Sequence, residues 1–301
     1  MGRRQRLVAY AFVSPWVVGF VAFTLGPMLL SLVASFTDYP VLHAADTRFV
    51  GLANYRTALG DHVLAHSLVV TLLYTVMAVP ADLAVGLALA LVLNARARGV
   101  SVFRTVFFLP VMIGGAGGGS VAVALLWVWI FQPRFGLLNG LFGLVGLPPQ
   151  LWVASTRLVV PSLVIMSMWG VGRTMLIFLA GLQGLDRDVL HAAEMDGASA
   201  FRRLFRVTLP LLSPLLLFNL VLDLINALQT FTQTYVVTQG QGGPHDASLF
   251  YMLYLFRTAF TDFKMGYASA LAWILFAITL GLTFLIFRTA RSWVFYGGGP
   301  R

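Results

Sequence analysis

Residues 186–214 read DRDVLHAAEMDGASAFRRLFRVTLPLLSP. The rest of the chain is mostly hydrocarbon, so this long polar interruption with its arginine cluster governs how its surroundings are read. Ala192 and Ala193 are small residues on a short helical run, and Asp196-Gly197-Ala198 makes a turn. After the turn, Phe201, Leu204 and Phe205 recur at i, i+3 and i+4, with Arg202, Arg203 and Arg206 between them. An apolar stripe beside a basic face is the pattern of a helix lying in a membrane interface. Pro210 and Pro214 are expected to stop and redirect the chain as it re-enters apolar sequence. A hinged projection with a small-residue face suits docking into a partner's cleft better than it suits chemistry.

Of the 301 residues, 59% are hydrophobic and 10% charged, and the mean hydropathy is +0.86. A soluble domain carries about 25% charge, so the composition is that of a polytopic membrane protein. The chain has no cysteine, which excludes disulfides, thiol catalysis and cysteine-ligated metals. The net charge of +9 raises nucleic-acid binding as an option. Lys264 is the only lysine, however, and the arginines sit mainly at the ends of apolar runs rather than on one polar face. Membrane topology accounts for them, and no nucleic-acid partner is expected.

Six apolar runs are read as spans, at about 7–36, 67–93, 105–131, 158–182, 211–237 and 266–287. Each is near or above the ~20 residues that cross ~30 Å of hydrocarbon. The first follows the basic flank MGRRQR and is too long for a signal peptide's apolar region of roughly 7–15 residues; Pro15 and Pro27 are expected to kink it or mark its ends. Trp127 and Trp129 fall near the outer end of the third. Six crossings put both termini on one side. One set of span ends carries Arg3, Arg4, Arg6, Arg96, Arg98, Arg104, Arg187, Arg202, Arg203, Arg206, Arg288, Arg291 and Arg301. The other carries Arg48, Arg56, Arg134, Arg157, Arg257 and Lys264. Thirteen against six assigns the first set, including 186–207, to the cytoplasm. The expected fold is an all-α membrane protein of six transmembrane helices, both termini cytoplasmic, forming a single domain over 1–301 without an internal repeat.

The stretch HAAEMDGASAFRRLFRVTLPLLSP resembles the EAA loop of the permease subunits of bacterial binding-protein-dependent ABC importers. Asp196, Gly197, Ala198, Leu209 and Pro210 fall at that pattern's spacing. Further stretches are similar to the carbohydrate-importing branch of the maltose and glycerol-3-phosphate type: SFTDY at 35–39, GLANY at 51–55, FRTVFFLP at 103–110, GLLNGLFGLVGLPP at 136–149, FLAGLQ at 178–183 and GYASALAW at 266–273. The likeness covers nearly the whole chain, in the family's order. It departs where the loop's leading glutamate is replaced by His191. The resemblance implies a type I ABC importer permease fold in a bacterial cytoplasmic (inner) membrane. It also implies a second permease subunit forming a heterodimer, two ATPase subunits and an extracytoplasmic solute-binding protein. ATP and magnesium would bind on the ATPase subunits, with no cofactor on this chain. His191, Ala192, Ala193, Glu194, Asp196, Gly197 and Ala198 would form the coupling segment, with Phe201, Leu204 and Phe205 holding the next turns of chain to the bundle.

Catalysis finds little support in the residues. A phosphate-cradling loop ends in Gly-Lys-Ser/Thr, but Lys264 lies between Phe263 and Met265. This chain therefore supplies no ATPase site of that type. The histidines (His43, His62, His66, His191 and His245) lie in loops or at span ends, and Asp82 and Asp223 sit in no recognisable protease motif. Polar groups at membrane depth instead line pathways or pair with one another. The fifth span carries Asn219, Asp223, Asn226, Gln229, Thr230 and Gln233, most of them on one helical face. That stripe offers hydrogen bonds to sugar hydroxyls, or acts as interhelical glue. Arg173 is an available partner for Asp223. In the fourth span Met166, Trp169, Gly170 and Arg173 share a face, and Trp169 supplies an aromatic plate for a sugar's C–H surface or for simple packing. The run Gly114-Gly115-Ala116-Gly117-Gly118-Gly119 is read as a packing seam or an unwound stretch beside a cavity. QGQGGPH at 239–245 resembles the family's outer loop, where a binding protein would dock, and is equally a turn signal. A different class, an ion-coupled secondary transporter or channel, would use Asp82 and Asp223 as coupling carboxylates.

Overall fold

The computed structural model describes residues 3–40, 46–95, 99–114 and 120–295. His43, Arg96, Arg98, Arg301 and the Gly115–Gly119 part of the glycine run lie outside the described residues. The helices are α1 (Arg3–Phe20), α2 (Gly26–Ala34), α3 (Ala53–Gly60), α4 (His62–Asn94), α5 (Val100–Gly114), α6 (Val121–Ile130), α7 (Leu137–Leu144), α8 (Val159–Ser167), α9 (Gly172–Gln183), α10 (Arg187–Met195), α11 (Ala200–Arg203), α12 (Leu209–Leu228), α13 (Thr232–Val237), α14 (Tyr251–Phe260) and α15 (Met265–Trp293). Two short strands, β1 (Thr37–Asp38) and β2 (Arg48–Phe49), pair antiparallel. The chain groups into two compact units, Met1–His62 with Leu255–Ile278, and Val63–Tyr254 with Thr279–Arg301.

In the first unit, Tyr10–Ala34 is one apolar helix of 25 residues; its most apolar 18-residue window has a mean hydropathy of 2.2, and none of that window is buried by the rest of the chain. Pro15 lies inside α1, and Pro27 does not end the span. Proline has no N–H and crowds the carbonyl four residues back. Here Val21–Leu25 forms a π-turn, and the Gly26 N–H bonds the Val21 carbonyl five residues back, so the widened turn carries the helix through the proline. Beyond it, three of the family-like stretches meet. Asn54 of GLANY donates to the carbonyls of Ser35 and Thr37 in SFTDY at 2.8 and 2.9 Å. Gly266 of GYASALAW sits so close to β1 that a Cβ there would lie 2.0 Å from the Thr37 carbonyl. The next residue, Tyr267, donates to Asp61 at 2.7 Å.

The second unit holds the rest of the helical bundle. By length and hydropathy, four helices among the described residues reach a membrane crossing alone: Tyr10–Ala34, His62–Asn94, Ala200–Val237 and Met265–Trp293. The stretch expected as the fourth span forms a bent pair, Val159–Gly170 and Gly172–Gln183, meeting at 50°. A 3₁₀ turn at Met168–Gly170 makes the break. The third expected span comprises α5 and α6, each too short to cross alone. Glycine sets the closest helix approach: a Cβ on Gly172 would lie 2.2 Å from the Phe107 carbonyl, so α9 and α5 touch backbone to backbone. The loop GLLNGLFGLVGLPP is organised by one side chain. Asn139 donates to the carbonyls of Pro133 and Gln150 at 3.0 and 2.9 Å, and accepts from the Gln150 N–H and the Trp152 indole, both at 2.9 Å. That satisfies the whole hydrogen-bonding capacity of a buried amide.

Two expectations are corrected in this unit. Pro210 and Pro214 do not stop the chain: the helix runs from Ala200 to Val237. The device at Pro27 recurs, with a π-turn at Leu204–Thr208 and the Leu209 N–H bonded to the Leu204 carbonyl just before Pro210. Nor do Phe201 and Phe205 hold the segment to the bundle. They are 72% and 51% exposed, and only Leu204 turns inward, lining a cavity with Leu91 and Leu182. Apolar spacing marks a helical stripe without saying whether it faces the bundle or the outside.

Candidate functional site

Two places in the second unit concentrate polar chemistry. The first is a cavity of about 60 Å3 lined by Tyr74, Ala78, Val79 and Asp82 of α4, Ser167 and Gly170 at the break of the bent pair, Arg173 of α9, and Asp223, Asn226, Ala227 and Thr230 of the Ala200–Val237 helix. Arg173 projects from the first turn of α9, just past the break, and its Nη2 meets Asp223 Oδ1 at 2.6 Å, with side chains 23% and 8% exposed. The reason is electrostatic. Each charge alone would be costly to hold in hydrocarbon, and each neutralises the other. One residue on, the Thr174 hydroxyl donates to Asp82 Oδ2 at 2.5 Å. Consecutive residues of α9 thus tie it to α12 and to α4. Arg173 Nε and Asp223 Oδ2 are buried without a hydrogen-bond partner among the described residues.

The residues expected from the sequence divide here. Gly170, Arg173, Asp223, Asn226 and Thr230 come together in the cavity. Met166 is fully buried in the apolar core with Leu163 and Phe131. Trp169 turns away from the cavity and packs edge-on against Trp127, ring centroids 6.2 Å apart. Asn219 is buried and donates to the Leu215 carbonyl at 3.0 Å. Gln229 is exposed at the end of α12, while Gln233 is buried and accepts from the Tyr74 hydroxyl at 3.5 Å. Asp82 is visible in the sequence as a carboxylate inside a span, but its partner Thr174 carries no sequence signal. Tyr74 and Ser167 carry none either.

The second place is α10 and the turn after it. Asp186 caps α10, its carboxylate accepting from the Asp188 N–H at 2.9 Å. Gly197 ends it at φ +74°, a left-handed conformation that glycine adopts without strain. The Asp196, Gly197 and Ala198 N–H groups bond back to the carbonyls of Ala192, Glu194 and Ala193, each at 3.0 Å. Ser199 then caps α11. His191 Nδ1 lies 3.4 Å from Glu194 Oε2, and Glu194 also pairs with Arg203, tying α10 to the start of the next helix. Ala192, Glu194, Met195, Asp196 and Gly197 are exposed, and Ala193 and Ala198 half-buried. The result is a short helix, capped at both ends, that shows small residues to the outside.

The structure is that of a helical membrane protein carrying a small capped helix between apolar helices. Residues 82–291 match the family model described as the binding-protein-dependent transport system inner membrane component, and the chain belongs to that family. The probable ABC transporter permease protein YesP of Bacillus subtilis (strain 168) is 43% identical over 296 residues, covering 98% of this chain and 94% of that protein. The trehalose/maltose transport system permease protein MalF of Thermococcus litoralis is 30% identical over 293 residues, covering 96% and 95%. Among solved structures, a chain of the bacterial alginate ABC transporter in complex with alginate pentasaccharide-bound periplasmic protein superimposes with a TM-score of 0.80 at 18% identity, covering 96% of this chain and 95% of that one. That likeness speaks to the fold. Family membership sets aside the ion-coupled transporter weighed from the sequence.

Proposed function

We propose that this chain forms the translocation pathway for a carbohydrate in an ATP-driven importer and is coupled to separate ATPase subunits through His191–Ala198. In this reading the chain acts as one permease domain with six crossings and both termini in the cytoplasm, which puts α10 on the ATPase side. A second permease completes the pathway, as a heterodimer. Two ATPase subunits hold ATP and magnesium, and an extracytoplasmic binding protein delivers the solute. The carbohydrate assignment is supported by relatives named for trehalose/maltose and arabinooligosaccharide transport. It also fits a cavity whose wall offers hydroxyl, amide, carboxylate and guanidinium groups rather than a single charge. Arg173, Asp223, Asn226 and Thr230 contact the solute in passage, with Asp82, Tyr74 and Ser167 beside them.

The observation that carries the coupling assignment is the construction of α10. It is capped by Asp186 and closed by Gly197, and it holds its own shape while leaving Ala192 and Gly197 exposed. A rigid knob of that kind transmits displacement when another protein grips it. The test is uptake and ATP hydrolysis by the whole transporter carrying Ala193→Glu or Gly197→Asp. Both variants are expected to insert normally, lose uptake and uncouple hydrolysis from the binding protein. Gly197→Ala is the control, since nothing lies within 4 Å of a Cβ at this position and the change adds only backbone strain. Normal transport by both charged variants would refute the docking role.

A further inference from the structure

The segment just past α10 presents two faces, and only one is accounted for by coupling. Arg203 turns toward α10 and pairs with Glu194. Arg202 and Arg206, four residues apart, point outward and are exposed, and neither has an ion-pair partner among the described residues. Phe201 and Phe205, also four apart, stand beside them with ring centroids 4.5 Å apart. Their exposures of 72% and 51% leave most of both rings uncovered by this chain. These four residues belong to the first two turns of a helix that continues through Val237 and whose most apolar 18-residue window has a mean hydropathy of 1.9. The opening turns of a membrane-crossing helix lie at headgroup depth. Aromatic rings there enter the acyl boundary, while guanidinium groups reach phosphates.

We infer that Phe201, Arg202, Phe205 and Arg206 form a binding surface for the anionic lipid headgroups of the membrane, anchoring the helix that carries the coupling segment. The charge argues for lipid over a protein cleft: two unpaired cations flank two uncovered rings at the depth where phosphate and hydrocarbon meet. The inference requires that Ala200–Val237 crosses the membrane. It does not require that α10 docks on an ATPase, so the two readings fail separately. Each basic residue near an anionic surface strengthens association about fivefold, and the pair about 30-fold.

The experiment uses the assembled transporter in nanodiscs with a Phe201→Trp reporter, read against the unsubstituted protein to subtract its own tryptophans. Acyl-brominated phosphatidylglycerol is expected to quench the reporter more strongly than brominated phosphatidylcholine. The preference should fall with added salt and disappear in Arg202→Gln/Arg206→Gln. Equal quenching by the two lipids would overturn the anionic preference. No quenching by either lipid, with quenching gained when the ATPase subunits are stripped off, would overturn the surface altogether and assign this face to a protein partner.

Discussion

Asp223→Ala removes the carboxylate that neutralises Arg173 and leaves the guanidinium without its counter-ion. Breaking a buried pair by deleting one member costs about 3–5 kcal/mol. Two features of this site favour the lower end. The Arg173 side chain is 23% exposed, and the adjoining cavity of about 60 Å3 is several times the ~15 Å3 one water needs. The expected cost is therefore about 3 kcal/mol, and at about 2 °C per kcal/mol for a large domain the melting temperature falls by about 6 °C. The assay is thermal melting of the detergent-purified transporter, monitored as loss of the monodisperse species. Arg173→Leu is expected to destabilise by a similar amount, because it strands Asp223 instead. Arg173→Leu/Asp223→Ala removes both charges and should regain at least half of either single loss. If the double variant instead loses the sum of the two, the side chains do not act as a pair. Uptake separates glue from pathway: the double variant should recover stability and still fail to transport, and full uptake would remove both residues from the solute's route.

Packing and polar satisfaction give two further expectations. Gly172→Val places a side chain where a Cβ already lies 2.2 Å from the Phe107 carbonyl, and should abolish assembled protein on size-exclusion chromatography. Gly143→Ala, where nothing lies within 4 Å, should leave assembly unchanged. Asn139→Leu strands the Gln150 N–H and the Trp152 indole, at about 1–3 kcal/mol for each buried donor left unpaired, and should open 145–155 to limited proteolysis.

Hydropathy exposed four of the six expected spans as long apolar helices and a further one as a bent pair, while the third divides into α5 and α6, each too short to cross alone. The Arg173–Asp223 pair was legible because an arginine inside hydrocarbon needs a carboxylate, and Asp223 is one of the two aspartates inside the expected spans. Asp82 was visible in the same way, but its partner Thr174 was not, since a hydroxyl can satisfy itself within its own helix and so announces nothing. Trp169 packs on Trp127, and the sequence left its role open because an indole that packs and one that faces a solute share the same helical spacing. The π-turns at Val21–Leu25 and Leu204–Thr208 escaped because proline in a sequence reads as a stop. The face of Phe201 and Phe205 was then misassigned as inward, since inward and lipid-facing stripes are equally apolar. The interface-helix pattern read from the same residues is the part the exposures favour.

The 50° break between α8 and α9 gives this permease a lever. Beyond it, α9 is a rod of 12 residues, about 18 Å long at 1.5 Å per residue. Its near end carries Arg173 and Thr174, and its far end leads through three residues to α10. A swing of about 10° about the break carries the Gln183 end roughly 3 Å on a rod of that length, a displacement comparable to a whole hydrogen bond. Small movements at one end of this arm are therefore on the scale that decides whether contacts at the other are made or lost.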